Sequence, residues 1–168
     1  DCGGNHLGSL PPLPVALEGL ECSGNDLATL PAPLPPNLRI LSCSSNNLRR
    51  LPDLPRTLKL LDCLGQRNGM EELPALHDTA IMRLNCEGNG LRTIPSLPET
   101  LWEMVCSGNA LTSLPALPGG LEHLVCDEGL LDGVDLPQSL RTCKEFPRPE
   151  EEELSDEEEQ EPSDEEEE

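Results

Sequence analysis

Eight cysteines are the residues of this 168-residue chain whose chemistry is most distinctive. Closely spaced cysteines bind zinc or form disulfides, and a zinc site usually takes two ligands from one tight turn. No Cys-x-x-Cys pair occurs, and the smallest gap between successive cysteines is 17 residues. We therefore predict free cysteines that fill a core as small apolar side chains, with no metal and no cofactor. A metal or redox role is the minor alternative.

The three histidines give no catalytic pattern either. His6, His77 and His123 are far apart in the sequence, without a His-x-x-x-His or a Ser-His-Asp spacing. Because nucleophile, base and orienting group have to converge, these isolated histidines predict neither catalytic residues nor an enzyme.

Charge and composition exclude several classes of binding protein. The net charge is −21, and the only aromatic residues are Trp102 and Phe146. Phosphate binding requires clustered Lys and Arg, and stacking on single strands requires several aromatic residues. No apolar run approaches the roughly 18 residues of a membrane span. We therefore expect neither a nucleic acid nor a membrane as the partner.

The spacing of the cysteines is that of an internal repeat. The first six intervals between them are 20 to 23 residues, and a Leu-x-x-Leu motif usually precedes each cysteine by two residues. An asparagine usually follows three residues after the cysteine, and Leu-Pro dipeptides come next. The repeating asparagines are Asn5, Asn25, Asn46, Asn89 and Asn109.

This periodicity is the leucine-rich repeat pattern at the short end of its range, with Cys at the third Leu position. It predicts a mainly β solenoid of stacked parallel strands, with Leu and Cys inside and Asn capping the turn after each strand. Because Pro disfavours helix, the return segments should be extended, with little or no helix. Residues 1–147 form this solenoid, of about seven repeats with the first truncated, which suggests a missing upstream piece.

Two units depart from the pattern. The unit after Cys63 is two residues too long, which predicts a bulged loop near residues 64–70. The unit after Cys126 lacks the asparagine, and Cys143 falls at the second Leu position of a last strand.

The combined string Leu-Pro-x-Leu-Pro-x-x-Leu-x-x-Leu-x-Cys-x-x-Asn-x-Leu resembles the LPX leucine-rich repeat of IpaH-like and YopM-like bacterial effectors. Cys-containing versions are also similar to bacterial and large-DNA-virus repeat proteins. The resemblance implies recognition of host proteins on a concave sheet. IpaH-like members add a ubiquitin-ligase domain with a Cys-x-Asp nucleophile, and that motif is absent here. The YopM-like arrangement, repeats with a short tail, is the nearer analogy.

The register predicts which side chains project from the sheet towards a partner. Basic residues stacked across units should form a modest stripe, with a tryptophan and a methionine beside it and two valines where solvent is expected. Such residues are enriched at interfaces. The predicted partner-binding residues are Arg39, Lys59, Met82, Arg83, Trp102, Val105, His123 and Val125.

The segment 148–168 is predicted to be a disordered acidic tail, because residues 150–168 contain 14 acids and no base. Ser155 and Ser163 share the context Ser-Asp-Glu-Glu, which resembles the site of an acidophilic kinase and predicts phosphorylation. The tail is interpreted as solubilising, as binding a basic partner, or as folding back onto the basic stripe.

The sequence thus predicts a monomeric, non-catalytic module that binds a protein of unknown identity on its concave sheet. One alternative is the substrate-recognition part of an IpaH-like ligase whose catalytic domain lies outside this chain. Another is binding of basic proteins by the acidic tail. Unpaired cysteines favour an intracellular setting, which would be the host cytoplasm for an effector.

Overall fold

The computed structural model describes residues 1–147 as a stack of short parallel strands. The strands follow one another in chain order within one seven-stranded sheet, and residues 1–147 contain no helix. The predicted fold class is confirmed. The strands are β1 (Gly19–Glu21), β2 (Ile40–Ser42), β3 (Leu60–Asp62), β4 (Arg83–Asn85), β5 (Glu103–Val105), β6 (His123–Asp127) and β7 (Thr142–Phe146).

Each of the first six strands contributes one buried Leu or Met to a continuous core, and a buried Cys lies two residues after it, just past the strand in β1 to β5 and within β6. Leu20 pairs in register with Leu41, and Leu41 pairs with Leu61, so equivalent side chains form columns. Six cysteines, from Cys22 to Cys126, form the second column and are fully buried. The predicted inward cysteines are confirmed at these six positions. Cys2 is partly exposed and Cys143 is exposed in the last described strand.

The return segments are extended because proline dominates them. Each usually ends in a turn in which the N–H of the first Leu of the strand motif donates to the carbonyl of a proline three residues earlier. Leu38 donates to Pro35 at 3.1 Å, and Leu58 donates to Pro55 at 3.0 Å. Proline thus excludes helix from the return side and also directs the chain into the next strand.

The asparagines cap the turns as predicted, and they also join adjacent units. The Nδ2 of Asn25 donates to the carbonyl of Cys22 in its own turn and to that of Cys2 in the preceding unit, both at 3.0 Å. Its Oδ1 accepts the N–H of Leu7, also in the preceding unit, at 3.0 Å. One amide therefore satisfies backbone groups of two units.

The long unit after Cys63 continues the amide ladder with a glutamine. Gln66 lies three residues after Cys63, and its Nε2 donates to the carbonyls of Cys43 and Cys63 at 3.0 and 3.3 Å. The two extra residues are accommodated after it, in a turn at Arg67 and Asn68. The predicted loop is thus present, but sequence reasoning missed that Gln66 takes the place of the asparagine.

In the unit without an asparagine, a carboxylate next to the cysteine bonds to the preceding unit. Asp127 is 2% exposed, and its carboxylate accepts the backbone N–H of Gly108 at 2.7 Å and that of Asn109 at 3.2 Å. Cys143 pairs in register with Leu124, which is the position predicted for it. The predicted tail, with Ser155 and Ser163, lies outside the described residues.

Candidate protein-binding surface

The solvent-facing side of the sheet, called the sheet face below, presents three rows of side chains. The first row is the residue after the first Leu of each motif, and the second row is the next residue. The third row is the residue before each buried Cys and, in β7, Lys144, which pairs with Val125. The first row is Glu18, Arg39, Lys59, Met82, Trp102, Glu122 and Arg141. The second is Gly19, Ile40, Leu60, Arg83, Glu103, His123 and Thr142, and the third is Glu21, Ser42, Asp62, Asn85, Val105, Val125 and Lys144.

The predicted basic residues fall in two rows. Arg39 and Lys59 are neighbours in the first row, whereas Arg83 lies in the second row. Arg39 lies 3.8 Å from a carboxylate oxygen of Glu18. The guanidinium of Arg83 makes two hydrogen bonds to Glu103, of 2.7 and 3.3 Å. The basic residues therefore do not form one continuous stripe, and acidic neighbours compensate two of them.

Four side chains from adjacent strands form what we call the Trp102 cluster: Arg83, Trp102, Glu103 and His123. The guanidinium carbon of Arg83 lies 5.8 Å from the centroid of the Trp102 ring, within the range of a cation–π contact. On the other side, the His123 ring lies edge-on to Trp102 at 5.7 Å between centroids and 73° between planes. The structure thus brings together three of the residues predicted from the sequence.

Apolar side chains lie on both sides of the cluster. Val105 and Val125 pair in register in the third row of β5 and β6, and both are half-buried. Met82, in the first row, is 41% exposed. These three positions agree with their predicted outward orientation.

Two further apolar residues of the sheet face were not among the predicted partner-binding residues. Ile40 is 39% exposed, and it pairs in register with the half-buried Leu60 in the second row. The available signal was an apolar residue at a position whose side chain must point to solvent. Between this pair and the cluster is a shallow depression of about 230 Å³, whose lining includes Leu60, Asp62, Arg83, Asn85, Glu103 and Val105.

The buried thiols are packed and protonated. The Sγ atoms of Cys63 and Cys86 donate to the carbonyls of Asn85 and Val105 in the next strand, at 3.4 and 3.6 Å. Burial raises the pKa of the Cys22 and Cys126 thiols to about 12 and that of the other four further still, and nearby thiols or carboxylates add to the effect. Within residues 1–147, no three His, Cys, Asp or Glu side chains are grouped to hold a metal.

From these raised pKa values we predict that the free energy of unfolding falls in alkali. An unfolded thiol ionises near its ordinary pKa of 9.0, whereas Cys22 in the folded chain ionises at about 12. Because the folded state keeps protons that the unfolded state releases, this stabilisation is complete below about pH 9 and disappears as the pH rises towards 12. The chain has no Tyr to titrate in this range.

We expect the free energy of unfolding, measured by denaturant titration under reducing conditions, to fall steadily above pH 9. A Cys22→Ala variant should show a shallower fall, since it has one thiol fewer to ionise. A free energy that stays constant up to pH 11 would contradict the buried, protonated ladder.

Stacked parallel strands joined by Pro-rich segments match solved structures of a bacterial effector. YopM from Yersinia enterocolitica WA-314 superposes with a TM-score of 0.65 at 30% sequence identity, over 86% of this chain and 36% of that one. The chain is a leucine-rich repeat protein with YopM-like repeats.

A second YopM structure, of a leucine-rich effector protein from Yersinia pestis, gives a TM-score of 0.55 at 27% identity. It covers 84% of this chain and 52% of that one, so the chain spans between a third and about half of these YopM chains. No protein-family model and no curated protein matches the chain by sequence.

A YopM-like leucine-rich repeat fold is that of a protein-interaction module, and such scaffolds are typically non-catalytic. The part of the chain that the structure describes contains no helix long and apolar enough to cross a membrane.

Proposed function

We propose that the sheet face binds a partner protein, with the Trp102 cluster at the centre of the interface. The observation that carries this proposal is the position of Trp102, which is partly exposed on the sheet face between Arg83 and His123. Trp and Arg are the residue types most enriched among interface residues that dominate binding energy.

Contacts within the cluster order its side chains in a way that would favour binding. Glu103 accepts two hydrogen bonds from the Arg83 guanidinium, and Trp102 contacts both Arg83 and His123. Side chains that are already ordered lose little conformational entropy when a partner docks. Val105, Val125 and Met82 would add apolar area around this anchor.

The dimensions of the sheet face suit a protein partner. Seven strands at a spacing of about 4.8 Å give a strip of roughly 30 Å. A standard interface buries about 800 Å² on each partner, which a strip of this length accommodates. Arg39 and Lys59 would extend the contact towards β1 and set the charge of the partner surface that fits there.

The setting we infer is intracellular, and the inferred role is recognition without catalysis. The thiols of residues 1–147 are all free, as suits a reducing compartment. A partner recruited to the sheet face would be held, relocated or shielded rather than chemically altered.

The test is affinity capture from native-source lysate with matched variants of the chain. Trp102→Ala should reduce recovery of the specific partner at least about tenfold, because truncating a central anchor costs about 2 kcal/mol or more. Val105→Ala should reduce it less. Val15→Ala is the matched control, since Val15 is 73% exposed on the Pro-rich return side and should leave recovery unchanged.

Each variant is first checked for folding by its denaturation midpoint. Partner loss with Trp102→Ala and Val105→Ala, but not with Val15→Ala, supports the sheet face. Loss only after deletion of residues 148–168 would overturn the proposal and favour binding by the acidic segment. If the sheet face is supported, cross-linking from position 102 would identify the contacting surface of the partner.

A further inference from the structure

The chain contains two Asn-Gly sequences, Asn68-Gly69 and Asn89-Gly90. Asn-Gly is the dipeptide in which an asparagine amide is most readily lost, because glycine has no Cβ to keep its nitrogen from the Asn side chain. The sequence treats the two sites as equivalent, whereas the structure places them in opposite environments.

Asn89 is a member of the amide ladder, and the groups that would react are occupied. Its Oδ1 accepts two backbone N–H groups, from Gln66 at 3.2 Å and Met70 at 3.3 Å. The N–H of Gly90, the required nucleophile, donates to the carbonyl of Met70 at 3.1 Å. The Nδ2 of Asn89 donates to the carbonyls of Cys63, Cys86 and Glu87 at 3.1, 2.9 and 3.2 Å.

Asn68 lies in the two-residue insertion and outside the ladder. Its side chain is exposed and makes no hydrogen bond within residues 1–147. A single backbone hydrogen bond, from the N–H of Gly69 to the carbonyl of Gln66 at 2.8 Å, closes the turn around it. Opening this turn breaks one backbone hydrogen bond, whereas freeing Asn89 breaks five side-chain hydrogen bonds, three of them to the preceding unit.

From this contrast we infer that Asn68 is a site of spontaneous deamidation and that the ladder protects Asn89. The Gly69 nitrogen loses its proton and attacks Cγ of Asn68, so that a nitrogen–carbon bond forms while the bond from Cγ to Nδ2 breaks. The displaced Nδ2 group takes up a proton, which balances the one lost by Gly69, and leaves as ammonia. Water then opens the five-membered imide to aspartate or isoaspartate, and no oxidation or reduction is involved.

The modification would change the charge of a defined part of the surface without breaking the stack. Asn68 lines a depression of about 390 Å³ together with Arg49 and Arg50. These arginines already face Glu71 and Glu72, at 3.7 and 3.3 Å. Deamidation adds a further carboxylate beside them. The amides that join the units are unaffected, because Gln66 and not Asn68 occupies the ladder position.

The test follows both asparagines in the folded full chain by peptide mass spectrometry during incubation at neutral and mildly alkaline pH. We expect Asn68 to deamidate at least about tenfold faster than Asn89, since five side-chain hydrogen bonds hold the latter in place. The rate at Asn68 should rise with pH, because the attacking nitrogen must lose its proton. In denaturant the two rates should become similar.

Two measurements guard against misassignment. Asn68→Gln should abolish the fast phase of ammonia release, and it should remove the isoaspartate detected by enzymatic methyl labelling. Equal rates in the folded chain, or a faster rate at Asn89, would overturn the inference.

Discussion

Replacing Asn46 with alanine is expected to lower the free energy of unfolding by about 3 to 5 kcal/mol, because several buried backbone groups lose their partners together. Asn46 is fully buried, and its Oδ1 accepts the N–H of Leu27 at 3.1 Å. Its Nδ2 donates to the carbonyls of Cys22, Cys43 and Ser44 at 3.1, 2.9 and 3.2 Å. All four hydrogen bonds are buried.

Asn5 provides the matched control for this prediction. It occupies the equivalent position of the first unit, but it is exposed and donates only to the carbonyls of Cys2 and Gly3 in its own turn. Asn5→Ala should change the free energy of unfolding by less than about 1 kcal/mol. Equal effects of the two substitutions, measured by denaturant titration, would show that bonding between units does not stabilise the stack.

The second large effect is expected for Leu61→Ala, at about 3 to 5 kcal/mol of lost stability. Leu61 is the central residue of β3 and is 1% exposed. Its register partners on both sides are the equivalent leucines, Leu41 and Leu84. Truncation would leave a cavity in the middle of the column, and the short strands on both sides restrict how far the stack can close around it.

The preceding residue of the same strand is the control. Leu60 has the same side chain but lies on the sheet face, where it is only half-buried. Leu60→Ala should cost less than half as much as Leu61→Ala, because less apolar surface returns to water. Thermal and chemical denaturation of the pair would measure the difference. Similar losses at both positions would contradict the alternation of buried and exposed residues in β3.

The candidate interface was only partly predictable. A strict repeat register specifies which positions face outward, and this is why residues such as Met82 and Val105 could be chosen from the sequence. It does not specify how side chains in different rows meet. Arg83 was grouped with Arg39 and Lys59 by charge, but its guanidinium turns to Glu103 in the next strand. That choice depends on rotamers and distances that a pattern of residue types does not contain.

The class of fold follows from the sequence alone, because each unit repeats the same pattern of Leu, Cys, Asn and Pro. Leucine and cysteine at fixed spacing require that one face of each strand is buried, and proline prevents helix on the return side. The tertiary structure decided how the irregular units close. Gln66 replaces the ladder asparagine, whereas Asn68, two residues later, lies outside the ladder. Asp127 bonds to other backbone groups of the preceding unit, the N–H groups of Gly108 and Asn109. The physical reason is that the bonding partners lie 18 to 26 residues away, so only stacking places them within reach.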